Sequence, residues 1–272
     1  MVGQIWEFLW ENRRYFFSPI FALLWAAFFI TVYQIHKSQE VAPEQRTFEW
    51  KSEKKVSHDY LVFFPSGYDA AGEKKWPMVV YLHGGGGNAK LVNRQFAPHR
   101  DRHFVFLAPI CPLAEEGVPG HYTKWNPEIV GEIVKKVIAE HSIDEANCSL
   151  MRFSMGGSGA CELPFYHPEL FSRVVVMSGS CHPWKLKHYP KIPVRVFSGS
   201  KEPWLPQHTN TVNSAKQFGL DVSHTIWPGA GHGACRQRTM SDKALWEWLG
   251  SAPWREGATL CLSTRVSERT LP

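Results

Sequence analysis

The chain has 272 residues, 44% of them hydrophobic, 14% aromatic and 20% charged, a balance that excludes disordered and fibrous classes and makes one globular domain the simplest count. Its formal net charge of +5 comes from 30 Lys and Arg against 25 Asp and Glu mixed along the chain; no nucleic-acid motif accompanies it, so nucleic acid is not an expected partner. The six cysteines show no C-x-x-C or other zinc-ligand spacing, so no metal site is expected.

The first element in chain order is "YFFSPIFALLWAAFFITVY", Tyr15 to Tyr33, a run without a charge. As a helix it spans roughly 28 Å, close to the thickness of a bilayer's hydrocarbon core. The run is long for a signal peptide, and "QIHKSQE" after it offers no A-x-A-like cleavage pattern, so residues 15–35 are read as one uncleaved transmembrane helix. Arg13 and Arg14 precede it with the N-terminal amine, against His36 and Lys37 behind. That bias places residues 1–14 in the cytoplasm and everything after the anchor outside it, in a periplasmic or extracellular space. A buried core helix is the alternative, and it needs a domain able to cover an all-round apolar surface. Residues 36–58, charged and weakly periodic, are expected to be a linker.

A regular alternation follows over residues 59–250. "YLVFF" (60–64), "MVVYL" (78–82), "FVFLA" (104–108), "CSLMRF" (148–153), "RVVVMS" (173–178), "VRVFS" (194–198) and "SHTIW" (223–227) are short runs rich in β-branched and aromatic residues, bounded by Gly, Pro or polar clusters, and each predicts a strand. Between them, "NPEIVGEIVKKVIAEH" carries an Asn cap, a Pro at the first helical position and Ile129, Ile133, Val137 and Ile138 on one face. "SDKALWEWLG" begins with a cap residue at Ser241 and ends in glycine. Strands alternating with helices predict an α/β fold: a mostly parallel sheet covered on both faces, with functional groups at the carboxyl ends of the strands. Residues 251–272 show no sustained period and are expected to be a loosely attached tail.

The strand "CSLMRF" runs straight into "SMGGSGA", which places Ser154 at a strand-to-helix corner. Such a corner exposes a serine hydroxyl above the sheet, and its usual pattern is G-x-S-x-G. Here the residues are Arg152-Phe153-Ser154-Met155-Gly156, so the first glycine is an arginine, whose side chain is expected to pass outward to solvent or a carboxylate. "YLHGGGGNA" supplies bare backbone N–H groups after the strand at 78–82. An oxyanion hole is expected from the N–H of Met155 with that of Gly85, or failing it Gly86. "WPGAGHGAC" sets His232 in a glycine-lined loop after the last strand, as a base for Ser154, and Glu202 follows the strand at 194–198, as the acid that orients the imidazole. Asp221 is the nearest rival acid, but it precedes the wrong strand. The order Ser154, Glu202, His232 is that of α/β-hydrolases and differs from the chymotrypsin and subtilisin orders.

On these residues the chain resembles the α/β-hydrolase esterases grouped as predicted peptidases, related to polyhydroxybutyrate depolymerase-like and feruloyl esterase-like proteins. The resemblance covers roughly residues 55–250 and rests on "MVVYLHGGGGN", "FLAPICP" followed by Trp125, "SMGGSGACELPFYHPELFSRVVVMSG", "IPVRVFSGSKEPWLP" and "WPGAGHGAC". It implies an α/β-hydrolase fold and a serine carboxylic ester hydrolase that needs no cofactor, acting on a small ester through Ser154, Glu202 and His232. Arg152 in place of glycine and Glu202 where relatives often carry Asp are its departures. A peptidase or amidase, or an inactive binding protein that kept the fold, are the alternatives. The short span from Gly179 to Ile192, where larger hydrolases insert a lid, predicts no large lid and an open cleft. Trp125, Trp184 and Trp204 are expected near its rim, lining an acyl or aromatic pocket. A Cys181–Cys235 disulfide is expected to pin the histidine loop, and Cys148 is expected in the core.

Overall fold

The seven apolar runs all form strands, and an eighth strand precedes them. The computed structural model describes residues 26–27, 43–50, 56–96, 99, 102–111, 125–159 and 161–251, and the fold is that of the unit beginning at Pro43. Except for Ala26 and Ala27, which are helical, the expected anchor lies outside the described residues, as do the segment before it and the tail from 252. Among the described residues no helix is long and apolar enough to cross a membrane.

The strands are β1 (Glu44–Trp50), β2 (Val56–Phe63), β3 (Trp76–Leu82), β4 (Val105–Pro109), β5 (Ile143–Phe153), β6 (Arg173–Met177), β7 (Val194–Gly199) and β8 (Val222–Trp227). They form one sheet in the order β1-β2-β4-β3-β5-β6-β7-β8. β2 runs antiparallel to both neighbours, and every other pair is parallel. β4 and β6 are buried at every position, as strands covered on both faces by helices require.

β1 corrects the expected linker, since residues 44–50 pair with β2 from Glu44↔Val62 to Trp50↔Val56. A charged strand fits there because an edge needs few apolar contacts: Phe48 packs against the core, while Arg46 bonds Glu44 and Glu140 at the surface. Such charges also discourage edge-to-edge pairing with another chain.

Eight helices lie among the described residues of the unit: α1 (Ala89–Phe96), α2 (Pro127–Glu140), α3 (Met155–Gly159), α4 (Leu163–Tyr166), α5 (Pro183–Leu186), α6 (Leu205–Gln217), α7 (His232–Ser241) and α8 (Lys243–Gly250). The Asn126 side chain caps α2 by accepting from the N–H groups of Glu128 and Ile129. The expected start at Ser241 is displaced: that residue ends α7, and Asp242 caps α8 by accepting from Ala244 N at 3.0 Å. A carboxylate suits the positive end of the helix dipole.

Period-two alternation divides the core in two. On one face Leu82, Leu150 and Val176 pack with Ile133 of α2 and Val212 of α6. On the other Tyr81, Met151 and Phe197 pack with Phe96 of α1 and Trp246 of α8. Each such side chain, fully buried, contributes roughly 1.5–3 kcal/mol of transfer free energy. The chain leaves β3 for β4 on one side and continues in β5 on the other, so the carboxyl ends of β3 and β5 flank a crevice, the position where open α/β sheets bind ligands. Between β6 and β7 only the one-turn helix α5 intervenes, and no large lid is built there.

Candidate active site

β5 ends at Phe153 and α3 begins at Met155, so Ser154 alone makes the corner, at a φ of 53°. A non-glycine residue in this left-handed region costs on the order of 1–3 kcal/mol and persists only where its surroundings hold it. Ser154 N donates to Met177 O at 3.0 Å, and Ser154 O accepts from Ser158 N at 3.0 Å. Gly156 accounts for the second glycine of the pattern, because a Cβ there would run into the backbone carbonyl of Leu82. Its absence lets α3 lie against the end of β3.

Arg152 does not pass outward. It is 3% exposed, on the face of β5 that carries Leu150, and its Nη2 lies 3.4 Å from the Tyr189 hydroxyl. Period two explains this: a residue two before the corner must share the face of its even neighbours, which α5 and α6 cover. Desolvation there lowers the guanidinium pKa from its ordinary value, offset in part by the Tyr189 oxygen.

The Ser154 hydroxyl donates to His232 Nε2 at 2.7 Å, and His232 Nδ1 donates to Glu202 Oε2 at 2.9 Å. The imidazole lies between two rings, Phe153 at 4.9 Å and Trp204 at 5.4 Å between centroids. The Glu202 carboxylate is buried, and its other oxygen accepts from Ser178 Oγ at 2.7 Å and Gly199 N at 2.6 Å. Burial alone would raise this carboxyl. The hydrogen bonds from His232, Gly199 and Ser178 outweigh burial and hold its pKa below the ordinary value. The rival acid Asp221 is engaged elsewhere: its backbone carbonyl accepts from Val194 N and its charge acts on Arg195.

The glycine loop lies beside the serine: a Cβ on Gly84 would stand 3.1 Å from the Ser154 Cβ. Gly87 N donates to Gly84 O at 3.2 Å and closes a turn with Gly86 at a φ of 71°. The N–H groups of Gly85 and Gly86 stay outside that bond. His83 holds the turn in place. Its Nε2 accepts from Cys111 N at 3.0 Å, so the proton is on Nδ1, 2.7 Å from Gly84 O. Desolvation keeps His83 below its ordinary pKa and therefore neutral.

Two of these groups were missed in the sequence. Ser178 had no signal except its place after β6, where it too takes a positive φ, of 52°. His83 stood in a motif that drew attention to its glycines. Of the three rim tryptophans, Trp204 lies against His232, whereas Trp184 is exposed on α5 with Lys185 over its ring. Trp125 is 3% exposed and packs edge-on to His83 at 4.9 Å, so it is buried behind the loop and does not stand at an open rim.

The disulfide also differs from expectation. Cys181 pairs with Cys161, their Cα atoms 5.7 Å apart, and Cys235 is a free, buried thiol. The sheet separates the two expected partners: Cys181 packs on the face of Leu150, Cys235 on that of Met151. Burial pushes the Cys235 thiol up to about 11. Cys148 is buried in β5 as expected. Among the described residues no group of three or more His, Cys, Asp or Glu is placed to hold a metal ion.

An eight-stranded sheet with an antiparallel second strand and a serine corner after its fifth define an α/β-hydrolase. Residues 114–268 match the model of the family Esterase, described as "Putative esterase"; this is more than half of the chain, and the protein belongs to that family. Among solved structures it is similar to a thermostable esterase at 23% identity and a TM-score of 0.62, over 76% of this chain and 62% of that one. Esterase 2 of Thermogutta terrifontis, phosphoramylated by tabun, is similar at 16% identity and a TM-score of 0.58, over 79% of this chain and 98% of that one. A ferulic acid esterase is similar at 17% identity and a TM-score of 0.55, over 76% and 95%. The chain thus spans less than two thirds of the thermostable esterase. A comparison with curated proteins finds no match.

Proposed function

We propose that the protein is a serine carboxylic ester hydrolase, and the observation that carries this reading is the continuous hydrogen-bonded path from Ser154 through His232 to Glu202. His232 Nε2 takes the hydroxyl proton as Ser154 Oγ attacks the ester carbonyl, and the N–H groups of Met155 and Gly85, with Gly86 as the alternative donor, hold the oxyanion. The imidazolium, balanced by Glu202, gives its proton to the departing alkoxide, which leaves as the alcohol. Water then repeats the attack on the acyl-enzyme, and the acid product and Ser154 are released. Trp204, half exposed beside His232, offers an aromatic wall to the acyl or alcohol group.

In the same proposal residues 15–35 anchor the enzyme in a membrane with the catalytic unit outside the cytoplasm. The uncharged run and its flanking arginines support the anchor, and the Cys161–Cys181 disulfide supports an oxidising compartment.

The test is hydrolysis of a p-nitrophenyl ester series by the full chain and by Ser154→Ala, with fluorophosphonate labelling of both. Saturable turnover in the parent, a loss of at least about 10⁴-fold in kcat/KM in the variant and label on the parent alone are expected. A folded parent that neither turns over an ester nor takes the label would overturn the reading.

A further inference from the structure

Beneath the serine corner, on the face of the sheet covered by α5 and α6, lies a cavity of about 30 Å³. Val176, Val196, Leu186, Val212 and Leu220 line it together with Arg152. The wall is mostly apolar, with the hydroxyls of Ser180, Thr211 and Tyr189 as its other polar side-chain groups, and Arg152 is 3% exposed. Of its nitrogens, Nη2 reaches the Tyr189 hydroxyl, while Nε and Nη1 are buried without a hydrogen-bond partner. Arginine keeps its proton in proteins, so a full positive charge sits in a mostly apolar chamber facing a neutral phenol. Buried charges are otherwise paired with an opposite charge or a metal. Among the described residues Arg152 belongs to no ion pair.

We propose that this cavity is a binding site for one small monovalent anion of halide size, held by the Nε–H and Nη1–H groups of Arg152. A single water needs roughly 10–15 Å³ by the same measure, so the chamber admits a halide and excludes a carboxylate carried on a chain of several carbons. A water would satisfy the two N–H groups, but it would leave the charge unbalanced. The anion's charge neutralises the guanidinium, and its lack of a molecular skeleton suits a chamber of about 30 Å³. The site lies two residues before Ser154, yet it takes no part in the proposed hydrolysis, so it stands or falls separately.

The test uses the full chain in a non-ionic detergent. It begins in sodium gluconate, whose anion is too large to enter, and chloride or bromide then replaces gluconate at constant ionic strength. A saturable rise in Tm is expected, roughly 5–10 °C once the halide exceeds its Kd a hundredfold. Arg152→Met should abolish the rise and be no less stable than the parent in gluconate, while Ser154→Ala should keep it. If Arg152→Met does not fold, crystals of the parent grown in bromide decide: an anomalous peak within hydrogen-bond distance of Arg152 is expected. A Tm that does not respond to halide at constant ionic strength, a response that persists in Arg152→Met, or no bromide peak at the guanidinium would overturn the proposal.

Discussion

Ser154 joins a reactive hydroxyl to an unfavourable backbone angle, and the two are separable by substitution. Ser154→Ala and Ser154→Gly both remove the hydroxyl, but only glycine relaxes a φ of 53°. Since the left-handed region costs an L-residue on the order of 1–2 kcal/mol, Ser154→Gly should unfold roughly 2–8 °C above Ser154→Ala by calorimetry, with both inactive on esters. Equal Tm values would mean the corner is not strained. Ser178→Ala tests the far end of the path: it removes the donor 2.7 Å from Glu202 Oε1 and lets that carboxyl rise toward its ordinary value. A hydrogen bond to a charged group contributes about 1.5–3 kcal/mol, so kcat/KM should fall roughly 10- to 100-fold, with fluorophosphonate labelling slowed in step. Ser154, Glu202 and His232 could be named in advance because each follows a strand in a fixed order. Ser178 could not, because only the three-dimensional meeting of β6 and β7 sets its hydroxyl against a glutamate from the next loop.

At the level of elements, the α3–α4–α5 region is tied to itself by Cys161–Cys181, which closes a separation of 20 residues. A loop of about this length is stabilised by roughly 3 kcal/mol through the unfolded state, so reduction should lower the Tm by roughly 6–12 °C. Iodoacetamide mapping of the native oxidised protein should leave these two cysteines unalkylated. An unchanged Tm on full reduction would contradict the stabilising role. The strands were legible because buried parallel strands read as apolar runs, and β1 was not, because an edge strand holds its place largely by backbone pairing, with Phe48 packed against the core. The Cys235 and Trp125 assignments failed for a related reason. Chain order placed both near the carboxyl ends of the strands, but it does not say which face of the sheet, or which depth, a loop residue takes.

For the unit as a whole, acidity acts through histidines more than carboxylates. Desolvation lowers the pKa of His58, His83, His99, His141, His208 and His224, with His99 at about 4. In the unfolded chain each takes its proton near pH 6.5. Below that pH the unfolded state therefore binds more protons than the folded one, and stability falls as pH falls. Glu202, with its depressed pKa, has the same sign lower down: its contribution is present above the ordinary carboxylate value and lost as pH drops through the folded one. Calorimetry from pH 7.5 to 5 should show Tm declining steadily from about pH 6.5, and a Tm flat to pH 5 would refute this account. The distribution of cysteines over the two faces of the sheet bears also on how the chain matures. Cys148 is nearer along the chain to Cys161 than Cys181 is, and shorter loops close more readily in an open coil. Oxidation ahead of folding therefore favours a Cys148–Cys161 bridge that would pull β5 out of the sheet. Only after β5 has buried its thiol does Cys181 become the available partner, so the yield of correctly bonded protein is set by a race between sheet assembly and the oxidant, with thiol–disulfide exchange as the means of rescue.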